Sequence, residues 1–430
     1  MKKVIVVGAG LAGLSASVYL SDNDFQVTLI EASPKAGGRA YSLSHNSNGY
    51  FFDNGQHILM GCYEETIAFF KKINSLEKLD FQKSLRIPFV LPNGTIHKFE
   101  SPKNLYPLNL LMGIMKYKAL TLKERLKIID FFLDLICCAS CDLKDKSVSQ
   151  WLRCKNQSEN SVKAFWEILV VGALNTTIDK ASAEIFSEIL KIIFLTGNKS
   201  ASILVPRVGL TELYVDDALN FILKKNGRIF LSERVTGLEM TGETVSTLVT
   251  NKNSYADFDA VVFAIPAYSL GRILNRTSQP IAVPEFQYSP IVNAHFWLKN
   301  NPFEEKFYSL IDSEIHWLFN HGSHITLTTS AADDIILLDE SEIKRLFSSE
   351  LEKYFPIFNR EIIVDSKVIK EKRATFVPDI TSNEARKGIY CSIKNVIIAG
   401  DWTDTGLPST IESAVLSGRL AAGNVINSLK

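Results

Sequence analysis

Three glycines near the start of the chain have the spacing of a loop that can hold a pyrophosphate. Gly8, Gly10 and Gly13 form a G-x-G-x-x-G pattern. The first glycine permits a sharp turn, the second lets the backbone approach the pyrophosphate, and the third lets the following helix pack on the strand. Glu31 follows about 20 residues later, where a carboxylate can bind ribose hydroxyl groups and would repel a 2′-phosphate. The pattern predicts a dinucleotide cofactor.

The residues around these glycines predict the strand–helix–strand unit that would position them. Lys3 to Val7 is rich in β-branched residues, which is typical of a strand buried on both faces. Leu14 to Leu20 predicts a helix, and Gln26 to Ile30 predicts a second strand. The whole has the length of a β-α-β unit, about 30 residues, with the pyrophosphate at the positive end of the helix. This unit does not by itself distinguish NAD from FAD.

The segment Gly37-Gly38-Arg39, just after this unit, resembles the second FAD contact of the amine oxidase and phytoene desaturase superfamily. The resemblance implies that the backbone at Gly38 and the guanidinium of Arg39 reach the cofactor phosphates, for which a planar guanidinium is well suited. The alternative is a surface turn with a solvated arginine. Further on, residues 233–238 resemble the strand whose backbone packs against adenine, and Val235 is then the expected contact.

The end of the chain is similar to the closing motif of the same superfamily. It contains Gly400-Asp401-Trp-Thr and, further on, Thr410-Ile411-Glu412. The resemblance implies that Asp401 binds the ribityl or phosphate region of FAD. It also implies that the final helix, from Thr410 and Ile411, points its amides at the pyrimidine edge of the flavin, where they would stabilise negative charge. Glu412 is expected to support this helix.

The segment Asp53-Asn54-Gly55-Gln56-His57 narrows the resemblance to one branch of the superfamily. It looks like the hydroxysqualene dehydroxylases, once labelled squalene-associated FAD-dependent desaturases, and it implies that Gly55 and Gln56 lie against the flavin ring. Three further segments agree with this branch: residues 205–214, 372–376 and 400–403.

That resemblance implies a reaction in which reduced FAD delivers hydride to an allylic C30 alcohol, water leaves and squalene forms. Hydroxide is a poor leaving group, so the site needs an acid near the hydroxyl group. His57 is the first candidate for this acid or for orienting the substrate, because histidine titrates near neutral pH. The alternative is a histidine that only hydrogen-bonds the backbone near the cofactor. Asp53 is a weaker catalytic candidate, and Arg207 could hold a loop, face the pocket or lie on the surface.

The predicted fold class is α/β, with a discontinuous Rossmann-like FAD-binding domain and an inserted α+β substrate domain. The cofactor domain is expected to comprise residues 1–80, 200–275 and 385–430, and the substrate domain residues 81–199 and 276–384. Residues 105–138 are apolar and helical in pattern, with interleaved lysines. They fit a tunnel lining, a membrane-facing patch or an ordinary pair of amphipathic helices.

Composition restricts the partners. Lys plus Arg equals Asp plus Glu at 47 each, which argues against nucleic acid as the main partner. The six cysteines offer no second pair at metal-site spacing, so we expect reduced thiols, no metal and a cytoplasmic location. Peripheral contact with the cytoplasmic membrane face stays open. The expected partners are a hydrophobic isoprenoid substrate, a reductant for FAD, and the enzymes that make presqualene diphosphate and hydroxysqualene.

Three other functions remain as alternatives. A carotenoid-type desaturase or isomerase of the same superfamily would use oxidised FAD on a polyene precursor. An amine oxidase would offer an aromatic cage and a lysine near the flavin, and no such set is identified in the sequence. A non-catalytic prenyl-lipid carrier, like the Rab GDP-dissociation inhibitors, would need no flavin, and the retained Gly37-Gly38-Arg39 and Gly400-Asp401 argue against it.

Overall fold

The computed structural model describes residues 1–45, 51–102, 106, 108–137, 143–197, 199–274 and 283–430. Cys138, Cys141 and the side chain of Cys137 lie outside these residues, so the expectation for that cluster is not tested. Cys62, Cys154 and Cys391 are free thiols.

The described residues form these β-strands, in chain order: β1 Lys3–Val7, β2 Gln26–Ile30, β3 Ser42–Ser44, β4 Phe51–Asp53, β5 Leu59–Met60, β6 Leu79–Phe81, β7 Arg86–Val90, β8 Ile96–Glu100, β9 Ile203–Pro206, β10 Arg228–Phe230, β11 Val235–Thr241, β12 Thr244–Thr250, β13 Ser254–Tyr255, β14 Ala260–Phe263, β15 Tyr288–Leu298, β16 Phe307–Leu310, β17 Trp317–Asn320, β18 His324–Ser330, β19 Ile363–Phe376 and β20 Val396–Ile398.

The α-helices of the same residues are α1 Leu11–Asp22, α2 Glu64–Lys72, α3 Leu108–Lys116, α4 Leu122–Cys137, α5 Val148–Cys154, α6 Glu159–Ser161, α7 Glu167–Leu174, α8 Ala183–Leu195, α9 Asp216–Lys224, α10 Ala267–Leu274, α11 Glu340–Tyr354, α12 Ile380–Lys387 and α13 Ile411–Leu429. Two π-helical segments, Val162–Trp166 and Thr211–Val215, lead into α7 and α9.

A parallel five-stranded sheet in the order β10-β2-β1-β14-β20 organises the cofactor side of the molecule. All four residues from Val4 to Val7 in β1 are buried, as expected for a central strand covered on both faces. Because the strands are parallel, their carboxyl ends meet at one edge of the sheet. The segments that follow β1, β2, β14 and β20 therefore converge there, where open α/β sheets bind ligands.

The two ends of the chain pack on each other beside this sheet. Gly418 of α13 faces α1 so closely that a Cβ there would lie 2.2 Å from the carbonyl oxygen of Ala12. The hydroxyl group of Ser15 donates to the carbonyl oxygen of Val415 at 2.8 Å. The last helix is thus held against the helix that follows the glycine loop.

A seven-stranded mixed sheet, ordered β19-β15-β18-β17-β16-β7-β8, forms the second part of the molecule. On one side, α3, α4, α5, α7 and α8 enclose an aromatic core around the fully buried Trp166. On the other side, α11 packs on β15 and β19 through Ile343, Phe347 and Leu351.

The predicted α/β class, with a Rossmann-like cofactor domain and an inserted α+β part, is confirmed. The first helix begins at Leu11 rather than Leu14, because the glycine loop leads directly into it. Residues 105–138 contain two helices, α3 and α4, within their described part. In the described residues, no helix combines the length and the apolar character that crossing a membrane would need.

Candidate functional site

The glycine loop after β1 has the geometry that a pyrophosphate site requires. Gly8 has a φ of +101°, and a Cβ there would lie 2.5 Å from the carbonyl oxygen of Ala264. A Cβ on Gly13 would lie 1.8 Å from the carbonyl oxygen of Gly8, so only glycine lets α1 pack this closely. Gly10 caps α1 without a side chain, and the first turn holds no acidic residue. The amides of this turn therefore fit a phosphate group.

Glu31 lies at the carboxyl end of β2, and its carboxylate is held by backbone groups. It accepts hydrogen bonds from the amides of Ala9 at 2.6 Å and of Ser33 at 2.7 Å, one on each oxygen. Since each carboxylate oxygen can accept a second hydrogen bond, capacity remains for hydroxyl donors. Glu31 also lines the main cavity of the protein. The placement fits the predicted ribose contact.

Arg39 and Asp401 form an ion pair between segments from opposite ends of the chain. Their atoms Nη2 and Oδ1 are 2.5 Å apart, and Nη1 of Arg39 donates to the carbonyl oxygen of Ala374 at 2.8 Å. The side chain of Asp401 is 8% exposed and that of Arg39 is 40% exposed. Gly38 packs against the glycine loop, since a Cβ there would lie 2.9 Å from Cα of Gly10. The predicted cofactor residues Arg39 and Asp401 thus contact each other, and Gly38 contacts the glycine loop. A direct contact of Arg39 with a phosphate stays a prediction.

The segment after β4 brings backbone and a histidine to the cavity. Gly55, Gln56 and His57 all line it. The side-chain amide of Asn293 donates to the carbonyl oxygen of Asn54 at 3.1 Å, and a Cβ on Gly55 would lie 2.6 Å from the amide nitrogen of Asn293. Asn293 on β15 therefore fixes this segment from the second sheet.

His57 has one ring nitrogen bound to the backbone and the other available to a ligand. Its Nδ1 is 3.0 Å from the carbonyl oxygen of Gly55. A carbonyl oxygen only accepts, so Nδ1 carries the proton in this hydrogen bond and neutral His57 has its lone pair on Nε2. Burial lowers the pKa of His57, and the positive charge of Arg39 lowers it further, against the opposite effect of the Gly55 carbonyl. Neutral His57, which lines the cavity, thus has one hydrogen-bond acceptor atom, Nε2.

Two sequence candidates lie away from the cavity. Asp53 does not line it; Oδ1 of Asp53 accepts from the amide of Leu210 at 2.9 Å and from the hydroxyl group of Ser42 at 2.7 Å. Burial raises the pKa of Asp53 to about 6, and its contacts join two loops. A catalytic role for Asp53 stays a prediction, and its contacts favour a structural role. Arg207 lies on the surface and pairs with Asp80 at 2.6 Å.

The remaining predicted cofactor contacts line the same cavity from three other places: the start of β11, the segment after β20 and the start of α13. Val235 lies at the start of β11. Gly400, with a φ of +151°, follows β20. Thr410 caps α13, its hydroxyl group accepting from the amide of Ser413 at 3.2 Å, and Ile411 is the first helical residue. All four line one cavity together with the glycine loop.

Glu412 joins the start of α13 to the start of α2. Its carboxylate accepts from the amides of Glu65 and Thr66, both at 2.9 Å, and from the hydroxyl group of Thr66 at 2.6 Å. A carboxylate at these amides stabilises the N-terminus of α2. Arg419, on the same helix as Glu412, pairs with Glu65 at 2.6 Å. Glu412 therefore anchors the helix whose first residues line the cavity.

One large cavity, of about 1520 Å³, connects these groups to the second part of the molecule. Ordinary ligand sites are about 300–1,000 Å³, so this cavity has room for a cofactor and a further ligand. The apolar arm is defined here as the stretch lined by side chains of β7, β17, α7 and α8. Its wall includes Leu85, Ile87, Leu169, Phe186, Ile189 and Phe319.

Polar residues of the second sheet, which no sequence motif predicted as site residues, also line this cavity. Asn293 and Thr328 line it, and the hydroxyl group of Thr328 donates to Oδ1 of Asn293 at 2.7 Å. Asn175, at the C-terminal end of α7, donates to the hydroxyl oxygen of Thr375 at 2.9 Å. A signal was present for Asn293, because an asparagine interrupts the apolar strand β15.

Comparison with known proteins gives a family and several relatives. The sequence pattern of the family described as flavin containing amine oxidoreductase matches residues 11–426. The hydroxysqualene dehydroxylase of Zymomonas mobilis subsp. mobilis is 26% identical, with 97% of each chain covered. The 15-cis-phytoene desaturase of an Oncidium hybrid cultivar is also 26% identical, over 99% of this chain and 78% of that relative.

A solved structure agrees with the fold. An oxidoreductase from Methanosarcina mazei superposes with a TM-score of 0.75 over 99% of this chain and 100% of that chain, at 16% identity. At this identity the likeness concerns the fold alone.

Proposed function

Because the chain belongs to the flavin containing amine oxidoreductase family and is therefore a flavin-dependent oxidoreductase, we propose that its cofactor is FAD and that it reductively removes the hydroxyl group of hydroxysqualene to form squalene. The observation that carries this proposal is that one cavity of about 1520 Å³ is lined both by the glycine loop and by the side chains of the apolar arm. The relatives named hydroxysqualene dehydroxylase support the choice of substrate.

The residues of the cofactor end fit FAD. The uncapped first turn of α1 suits the pyrophosphate, and Glu31 suits the ribose of the adenosine half. The N-terminus of α13, fixed through Glu412, would face the flavin ring and stabilise negative charge there. When bound, reduced FAD supplies the hydride.

The proposed reaction exchanges one bond at an allylic carbon. The carbon–oxygen bond breaks, hydride takes the place of the oxygen, and the hydroxyl group leaves as water after taking up one proton. The hydride and the proton together equal what a fully reduced flavin would lose on reoxidation, so the step balances. The apolar arm binds the C30 chain and keeps water from the reacting carbon. The aliphatic and phenylalanine side chains of its wall offer dispersion contacts to a hydrocarbon.

His57 is proposed to orient the hydroxyl group. With Nδ1 donating to the Gly55 carbonyl, Nε2 can accept a hydrogen bond from the alcohol. This role fits better than proton donation, because burial lowers the pKa of His57 and leaves it mainly neutral at pH 7. Asn293 supports the same segment from β15 and is proposed as a positioning residue.

A phytoene-type desaturase is the second candidate, favoured by the relative of that name at the same 26% identity. It would use the same apolar arm with oxidised flavin and remove hydride from a polyene precursor. The two candidates therefore differ in which oxidation state of the flavin reacts.

The experiment uses that difference. The purified protein is reduced with dithionite without oxygen, hydroxysqualene is added, and the flavin spectrum and the products are followed. Reoxidation of the flavin as squalene appears, at a rate that exceeds reoxidation without the alcohol, is the expected result. A reduced flavin that ignores hydroxysqualene, in a protein whose oxidised form is bleached by phytoene, would establish the desaturase instead. A protein that takes up no FAD would point to the lipid carrier.

A further inference from the structure

Helix α4 is apolar on two opposite sides, and only one of them is buried. Ile128, Phe131, Phe132 and Leu135 lie in the core. Leu122, Leu126, Leu133 and Ile136 are 58%, 52%, 49% and 57% exposed. At about 100° per residue, these four positions fall on one stripe along the helix.

The neighbouring helix α3 also exposes large apolar side chains. Leu108 is 56% exposed and Met115 is 37% exposed, and the two positions lie on one side of α3. Arg125 of α4 donates to the carbonyl oxygen of Met115 at 2.9 Å, which ties the end of α3 to the start of α4. The apolar face is defined as Leu108, Met115, Leu122, Leu126, Leu133 and Ile136. Six large exposed side chains on two adjacent helices exceed the scattered exposure that is normal for a protein surface.

The charges beside this face are mainly positive. Lys116, Lys118 and Lys123 are exposed around the turn between α3 and α4. Helix α4 carries three acidic side chains: Glu124 accepts from the hydroxyl group of Ser158 at 2.6 Å, Asp134 pairs with a lysine at 2.6 Å, and Asp130 is exposed. They are outnumbered by the five basic residues of the same segment, Lys116, Lys118, Lys123, Arg125 and Lys127. Since the whole chain has a net charge of zero, this basic rim is a local feature.

The apolar face lies one helix away from the apolar arm of the cavity. On the inner side of α4, the ring of Phe132 packs against the ring of Phe194 on α8, with centroids 5.5 Å apart. Phe194 lines the cavity. Helix α4 thus carries the apolar face on its outer side, and its inner side packs on α8, which lines the cavity.

We propose that this apolar face docks on the surface of a lipid bilayer that contains anionic lipids, with α3 and α4 lying in the interface. Aliphatic side chains on one side of a helix and lysines at its rim are the combination that such an interface binds. The choice of a bilayer over another apolar partner rests on the proposed function, because a C30 hydrocarbon is dissolved in membranes. In this arrangement the bilayer supplies the substrate to the apolar arm of the cavity, behind α4 and α8.

The test is flotation of the flavin-loaded protein with vesicles of phosphatidylcholine, alone or mixed with phosphatidylglycerol. Binding is expected with the mixed vesicles and weaker binding with the neutral ones. The double variant L126E/L133E should bind at least about tenfold more weakly, because both changed side chains would enter the interface. Replacing Lys116, Lys118 and Lys123 by Gln should lower binding only to the anionic vesicles, by about fivefold per lysine.

The matched control is L337E, because Leu337 is 81% exposed in a turn on the opposite face of the seven-stranded sheet and lies outside the apolar face. It should bind vesicles like the unmodified protein, and all variants should keep the flavin spectrum. Equal binding of L126E/L133E and the unmodified protein would overturn the proposal. So would a stable dimer that L126E/L133E dissociates while neither form binds vesicles.

The assay measures no turnover, so it can fail independently of the proposed function. Vesicle binding by a protein that ignores hydroxysqualene would leave the docking surface standing and remove only the reaction. Turnover of detergent-dissolved hydroxysqualene by a protein that binds no vesicles would support the reaction and overturn the docking surface.

Discussion

The two ends of the cavity differ in the atoms that form them. At the cofactor end, backbone groups and glycines form the wall, and a Cβ on Gly8 or Gly13 would overlap a carbonyl oxygen. In the apolar arm, aliphatic and aromatic side chains form the wall, and a Cβ on Gly172 would meet its nearest atom, in the ring of Trp317, at 3.7 Å. The first end selects residue types at fixed positions, whereas the second selects only apolar character and approximate volume.

This difference explains why one end carries motifs and the other does not. A phosphate on a helix N-terminus needs particular amides and a particular turn, so residue type and spacing are both constrained. A hydrocarbon needs only a dry channel, which many combinations of Leu, Ile and Phe can provide. The same substitution should therefore have opposite consequences at the two ends.

The largest effect is expected from Gly13→Ala. Its Cβ would lie 1.8 Å from the carbonyl oxygen of Gly8, and relief of that overlap must separate α1 from β1. We expect a cost of more than about 3 kcal/mol and loss of bound flavin, measured by visible absorbance and thermal unfolding. Gly423→Ala is the control, since nothing lies within 4 Å of a Cβ there, and it should keep the flavin. A yellow Gly13→Ala protein of normal stability would contradict the comparison.

The second-largest effect is expected at His57, the imidazole that lines the cavity near its cofactor end. His57→Ala should keep the flavin spectrum and lose about 100-fold in turnover, in the range of one positioned hydrogen-bonding group. The accepting form of His57 is the neutral one, and burial lowers its pKa. Turnover of the unmodified protein should therefore be present at pH 7 and fall as pH drops through this lowered pKa, below about 6.5. Single-turnover rates against pH measure this limb, which should be absent in His57→Ala.

Asp53→Asn serves as the contrast to His57→Ala, because the carboxylate of Asp53 joins two loops and does not line the cavity. Its turnover should stay within about twofold of the unmodified protein. Burial raises the pKa of Asp53 to about 6 in the folded state, above its value of about 3.9 when unfolded. Folding stability from this group is therefore complete below about pH 4 and lost as pH rises to about 6, and Asp53→Asn should remove this loss. Denaturant unfolding at several pH values tests it; a catalytic defect like that of His57→Ala would favour the catalytic role instead.

A smaller effect is expected at the contact between the two sheets. Asn293→Ala leaves the carbonyl oxygen of Asn54 without its side-chain donor, which costs about 1–3 kcal/mol in a buried site. Because Asn293 positions the segment of His57, kcat should fall about tenfold while KM changes little. Thr328→Val removes only the hydrogen bond to Asn293 and should have a weaker effect of the same kind. A change confined to KM would instead assign Asn293 to substrate binding.

A small effect is also expected from Gly172→Ala, the counterpart of Gly13→Ala in the apolar arm. The added methyl group meets the Trp317 ring at an ordinary contact distance of 3.7 Å. The variant should keep its flavin and change KM for the C30 alcohol by no more than about threefold. Loss of flavin from this variant would show that the two ends are equally intolerant.

Much of the cofactor end could be predicted from the sequence because its constraints are local. Gly8, Gly10, Gly13 and Glu31 act within one β-α-β unit, so spacing along the chain implies their arrangement in space. The resemblance placed Arg39 and Asp401 at the same cofactor, but their direct contact joins residues 362 positions apart and needed the folded chain.

The tertiary structure alone decided what side-chain direction and packing control. Asp53 and His57 lie four positions apart, yet one binds a neighbouring loop and the other lines the cavity. No spacing pattern connects Asn293 with Gly55, because a strand of the second sheet reaches the segment only after both domains have folded. Likewise, the apolar residues of α4 look alike in the sequence, and only packing against α8 determines which of them are buried and which remain exposed. The arrangement of the glycine loop thus follows from local spacing in the sequence. Which side chains lie in the core, at the cavity or on the surface depends on contacts between distant segments.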